Sequence, residues 1–163
     1  MKVRKVDLQT MKIEITDATT SLVKKFEKFS STIYPCLAGK PTIGYGHVVN
    51  SAEKIKYKNG ISSKEADDLL RQDLQDAVNC LKRLIKVDLH PDNISALISL
   101  VFNVGCGEFA SSKALKLIND KNLQKAKIEL FDPIEGFVRI DGKITKGLVN
   151  RRALEAKLWK NYV

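Results

Sequence analysis

Apolar and polar positions divide this chain into a helical majority and one short contrasting stretch. Between Ser62 and Ile85 the residues Ala66, Leu69, Leu70, Leu74, Ala77, Val78, Leu81, Leu84 and Ile85 keep to one helical face. Ser62 and Glu65 stand at capping-box spacing just ahead of that run. The pattern predicts a helix of about six turns, long enough to span a small protein or join two lobes. Leu22, Val23 and Phe26 predict an earlier helix through Ser21–Phe29, with Thr16 and Asp17 as candidate N-caps. Ile94 to Val104 is nearly all apolar, which predicts a helix buried on most sides and ended by Gly105 and Gly107. Shorter helices are expected near Ser112–Ile118, Leu123–Phe131 and Leu148–Trp159.

The contrasting stretch runs from Ser30 to Asn50. Pro35, Gly39, Pro41, Gly44 and Gly46 punctuate β-prone residues there, predicting a small sheet with tight turns. Asn59-Gly60 marks another turn, and weak alternation at Lys12–Ile15 predicts a short strand. The fold class is therefore mainly α (α+β), with a β patch near the N-terminus and no internal repeat.

Composition narrows the setting. With 163 residues, 44% of them apolar, the chain can bury a core without metals or disulfides. The charged opening MKVRKVDLQTMKIEIT has no apolar h-region, so it reads as neither signal peptide nor membrane anchor. Folding in a cytoplasm is the corresponding expectation. Cys36, Cys80 and Cys106 are too few and too scattered for a disulfide scaffold, and Cys80 and Cys106 are expected to be buried thiols. His47 and His90 lack ligand spacing, so neither metal nor cofactor is expected. The net charge of +9 suits polyanionic partners, whether nucleic acid, anionic membrane or bacterial wall. A solvated basic surface explains it equally well, and no aromatic-basic interleaving marks a nucleic-acid reader.

Glu27 is the residue most open to chemistry. A carboxyl at a helix end facing a small sheet can sit in a cleft as a general acid, although a lone Glu there is more often a surface residue. The glycines of TIGYG lack the third glycine and following helix of a phosphate loop.

Glu27, Tyr34, Cys36, Gly39 and the string Thr42-Ile43-Gly44-Tyr45-Gly46-His47 resemble the active-site segment of the phage-type lysozymes, the endolysins of T-even and lambdoid phages. The likeness continues through ITDATTSLVKKFE, NGISSKEADDLLRQDL, ISALISLVFNVGCGEFASS and GLVNRRALEAKLW, spanning roughly residues 15 to 160. It implies a single lysozyme-like domain over 1–163. Its parts would be a lead-in (1–15), an N-lobe with the sheet (16–61), a connecting helix (62–86) and a helical C-lobe (87–163), with peptidoglycan in the cleft between lobes.

The resemblance implies hydrolysis of the β-1,4 bond between N-acetylmuramic acid and N-acetylglucosamine by a monomer. Bacterial peptidoglycan would be its partner, with no nucleic acid and no stable membrane anchor. Release to the wall would follow a holin-type lesion. Glu27 would be the general acid and Thr42 would position water or substrate. The third catalytic position, nine residues after Glu27, is an Asp in most of the family and Cys36 here. Some members carry cysteine there, so an active enzyme is allowed. The thiol is open to three readings: nucleophile, water-positioning group, or redox brake, through pairing with Cys80 or Cys106 or through another oxidation. The resemblance also implies a structural pair of His47 with Asp73, and groove contacts from Phe102, Asn103, Ser111 and Ser112. Arg151 or Arg152 would pair with Glu27 or a neighbouring acid. Two other readings stay open: a lytic transglycosylase using Glu27 alone, and an inactive wall-binding domain.

Overall fold

A computed structural model describes residues 12–163. Residues 1–11, most of the lead-in, lie outside the described part. Helix α1 (Asp17–Lys24) starts at Thr16, whose hydroxyl accepts from the Thr19 N–H in a capping box. Three strands follow as an antiparallel sheet in the order β1 (Ser30–Pro35), β2 (Pro41–Gly44), β3 (His47–Val48). Tyr34 pairs with Thr42, and Ile43 with His47, while the β1–β2 register shifts between Ser30 and Tyr34. Short helix α2 (Ser51–Lys56) leads to the long α3 (Ser63–Leu84), capped by Ser62 and Glu65 as the sequence predicts.

The remainder is helical apart from one hairpin. It comprises α4 (Pro91–Val104), α5 (Cys106–Ala110), α6 (Lys113–Asn119), α7 (Leu123–Phe131), β4 (Arg139–Ile140), β5 (Lys143–Ile144) and α8 (Lys146–Leu158).

Two apolar clusters define two lobes. The smaller joins Ile43, Val49, Tyr57 and Ile61 under the sheet to Ala66 and Leu69 of α3. The larger surrounds α4 and takes Leu70, Leu74, Ala77, Val78 and Leu81 from the same helix. One apolar stripe thus serves two cores in succession, and this is how α3 joins the lobes. Helix α1 precedes the sheet in sequence, yet its Val23 belongs to the larger cluster. Gly60 closes the smaller lobe. Its φ is +90°, and a Cβ there would lie 2.7 Å from the Ser31 carbonyl, which accepts from the Ile61 N–H.

Several expectations need correction. Lys12–Ile15 forms no strand; Ile13 enters the larger core without a partner strand, so its alternation reports burial only. The first helix ends at Lys24 rather than continuing through Phe29, because Phe26 N–H turns back to Val23 O and tightens the last turn. Cys80 and Cys106 are not free thiols but a disulfide. Gly105 (φ +93°) ends α4 and turns Cys106 toward α3, bringing the two Cα atoms within 5.9 Å despite their separation in sequence. Cys36 is free, so the disulfide reading of the redox brake does not hold in this structure. Among the described residues no helix is long and apolar enough to cross a membrane.

Candidate active site

Glu27 sits where the sheet lobe meets the helical body. The early end of α1 releases Phe26 and Glu27 toward α8, where Arg151 receives both. Its guanidinium stacks 4.5 Å from the Phe26 ring centre, and its Nη1 donates to Glu27 Oε1 at 3.3 Å. On the other side Gly46, in the β2–β3 turn, crowds the carboxylate: a Cβ there would lie 3.1 Å from Glu27 Oε2. Gly46 also has φ +84°, so both the turn and the close approach require glycine. The Glu27 side chain keeps 28% of its surface exposed and Arg151 only 8%, so a cation in the protein interior faces an acid open to solvent.

Cys36 and Thr42 belong to the neighbouring hairpin. Cys36 follows β1, its N–H donating to Lys40 O and its carbonyl accepting from Gly39 N–H. Backbone hydrogen bonds from Ala38 and Lys40, with help from the Thr42 hydroxyl, hold the Cys36 pKa below the ordinary thiol value. Thr42 is buried, and its hydroxyl donates to Lys40 O at 3.0 Å.

The arginine left open by sequence is resolved geometrically. Arg151 faces Glu27, while Arg152 turns inward to Glu155, Phe137 O and Asn103 Oδ1. Asn103 is exposed at the end of α4, beside a hollow of about 350 Å³ also lined by Glu108, Phe137, Arg139 and Ile140. Phe102 is half-buried against the larger core. The Ser111 hydroxyl bonds Gly107 O and Glu108 O, and Ser112 caps α6 while donating to Phe109 O. Both hydroxyls thus serve the α5–α6 turn. A larger hollow of about 570 Å³ beside Ile13, Arg71 and Gln75 contains none of these residues.

His47 Nδ1 lies 3.0 Å from both Asp73 oxygens, and its Nε2 lies 3.2 Å from Glu53 Oε2. Glu53 escaped the sequence reading, although Asn50 and Glu53 stand at capping-box spacing and form that box in the structure. Burial opposes charge on His47, but Asp73 and Glu53 outweigh it and hold its pKa above the ordinary value. Burial also pushes Asp73 up, with His47 pulling it back, so within the pair the acid resists ionisation while the base favours it. Two carboxylates contact the His47 ring, so the raised value of the histidine governs the pair near neutrality. A raised folded pKa gives stability that is complete below the unfolded value of about 6.5 and is lost as pH rises through the folded one. Melting temperature is therefore expected to fall from about pH 6.5 to 8 in the wild type and to stay nearly level in His47→Asn. Parallel curves for the two proteins would refute the coupling.

Lobed shape, long connecting helix and small sheet together define a lysozyme-like fold. The phage lysozyme family model matches residues 24–155, and the chain belongs to that family. The endolysin of Bacillus phage PZA is 32% identical over 91% of the chain, which spans only 56% of that protein's length. The endolysin of Acyrthosiphon pisum secondary endosymbiont phage 1 is 31% identical, over 91% of this chain and 99% of its own. A solved P22 lysozyme structure superposes with a TM-score of 0.75 at 28% identity, covering 91% of this chain and 99% of that one.

Proposed function

We propose that this chain is an endolysin-type muramidase that hydrolyses the β-1,4 bond between N-acetylmuramic acid and N-acetylglucosamine in bacterial peptidoglycan. The observation that carries the reading is Glu27, a solvent-open carboxyl fixed between Arg151 and the Gly46 turn at the junction of the lobes. Glu27 protonates the departing glycosidic oxygen as the bond to the anomeric carbon breaks. Cys36, its thiolate favoured by hairpin donors, takes the part of the second carboxylate on the opposite face of the sugar. There it accepts a proton from the attacking water, and Thr42 positions that water. Asn103 and the adjoining hollow contribute to the glycan groove. Net positive charge draws the protein to a wall bearing acidic muramyl peptides. In a phage setting, degradation of that wall lyses the host after release through a membrane lesion.

Digestion of purified sacculi followed by mass spectrometry tests the reaction. Reducing muramic ends are expected; anhydro ends would establish a transglycosylase instead, and binding without cleavage a wall-binding domain. Cys36→Ser is expected to lower the rate by about 10²-fold, because an alcohol does not ionise near neutrality. Cys36→Asp restores a charged acceptor and is expected to retain most activity. Undiminished cleavage by Cys36→Ser would remove the thiol from the mechanism.

A further inference from the structure

Glu155 is the only fully buried acidic residue among the described residues, and the mechanism above does not use it. Its Oε1 accepts from Ser99 Oγ at 2.7 Å and from Arg152 Nη2 at 3.0 Å, and lies 3.6 Å from Arg151 Nε. Oε2 lies 2.7 Å from Arg152 Nε, an ion contact whose angle does not make a hydrogen bond. The Arg151 guanidinium therefore stands between two carboxylates, Glu27 on its solvent side and Glu155 on its buried side.

We propose that Glu155 is a positioning residue for Glu27, acting through Arg151. The proposal deepens the muramidase reading and rests on it. A general acid must carry its proton when substrate arrives, and a neighbouring cation favours the opposite, ionised form. Guanidinium groups do not lose their protons in proteins, so Arg151 cannot relieve that pressure itself. Glu155 relieves it by holding part of the same cation from behind. With Glu155 ionised, the two arginines and Glu155 present one net positive charge to Glu27; without it they present two. Burial pushes Glu155 toward its neutral form, but neutrality would leave Arg151 and the fully buried Arg152 with no buried counter-charge, so the carboxylate persists.

Among the described residues no side chain other than Arg151 and Arg152 forms an ion pair with Glu155, and none other than Arg151 forms one with Glu27. Helix α4 offers Glu155 the Ser99 hydroxyl, and its one acid, Asp92, lies in its first turn near His90 and Lys160. On α7, Lys125, Lys127 and Glu129 make no ion pair with Glu155, and Glu129 is engaged by Lys113. Glu27 itself has Arg151 as its ion-pair partner and the Gly46 turn on its other side.

The test follows the Glu27 carboxyl carbon by ¹³C NMR during pH titration of the full chain, its signal assigned by its disappearance in Glu27→Gln. In Glu155→Gln the titration midpoint of that signal is expected about one pH unit lower than in the wild type. The alkaline limb of the pH–rate profile on sacculi should move with it, lowering kcat about tenfold near neutrality while KM stays within about twofold. Glu155→Asp retains an anion but withdraws it from Arg151, so it should give a smaller shift in the same direction. It carries the test if the Gln variant does not fold. An unmoved midpoint in whichever variants fold overturns the proposal, even if the rate falls, because a merely structural residue would lower rate without moving titration. A wild type that cuts no glycan would sink the muramidase reading, while the NMR titration would still decide the role of Glu155.

Discussion

Glu27→Gln is expected to reduce cleavage of sacculi by about 10³-fold while leaving the folded state and wall binding in place. Glutamine matches the shape of glutamate, and its side-chain oxygen can still accept from Arg151 Nη1. What it cannot do is deliver a proton to a glycosidic oxygen. The loss should fall on kcat with KM little changed, since protonation matters in the transition state rather than in ground-state binding. Arg151 is not stranded by the change, because Glu155 still lies 3.6 Å from its Nε, Ser99 O accepts from its Nη2, and Phe26 covers its face. The melting temperature should therefore move by only a few degrees. Turbidity clearance, reducing-end release and thermal melting on the same preparation separate the two effects. Cleavage within tenfold of wild type would place the acid elsewhere.

Local chemistry was the most legible part of the chain. Ser62 and Glu65 announce the start of α3, and Thr16 the start of α1, because a cap and its partner lie within one turn. Periodicity located α3 and α7 for the same reason, since burial on one face repeats along a single element, and an unbroken apolar run located α4, which is buried on most sides. Features that depend on how elements meet were not legible. Adjacent residues on a helix point about 100° apart, so only one of Arg151 and Arg152 can face Glu27. The choice depends on the rotation of α8 against α4. The Cys80–Cys106 bond depends on the turn at Gly105, which no spacing rule encodes. Glu155 looks like a surface residue in the string RRALEAKLW, although its place three and four residues after two arginines is an ion-pair spacing. The hairpin at 139–144, absent from the sequence reading, carries a local signal of its own. Asp141-Gly142 occupies its turn with φ of +49° and +77°, the dipeptide favoured where both central residues are left-handed.

Arg152→Met should be the most destabilising of these substitutions, at about 3–5 kcal/mol. Arg152 is fully buried, and its guanidinium donates to Asn103 Oδ1, Phe137 O and Glu155 Oε1 and lies in ion contact with Glu155 Oε2. Methionine fills much of the volume but leaves Glu155 charged in the interior, with only Ser99 and the more distant Arg151 near it. For a chain of this size the loss corresponds to a fall in melting temperature on the order of 10 °C. The double variant Arg152→Met, Glu155→Leu removes the stranded charge and should recover more than half of that loss, since apolar replacements of a buried pair are often near neutral. A single variant that melts within a degree or two of wild type would show that the pair is solvated. The double variant also separates the charge of Glu155 from that of the pair as a whole. It regains most of its melting temperature and leaves Arg151 as the one cation facing Glu27, the same net charge as in the wild type, so its pH–rate profile should return close to the wild-type one rather than move to acid as in Glu155→Gln. On this account Glu155 maintains the form of Glu27 by offsetting one of two buried guanidinium charges, while the pair as a whole contributes little net stability.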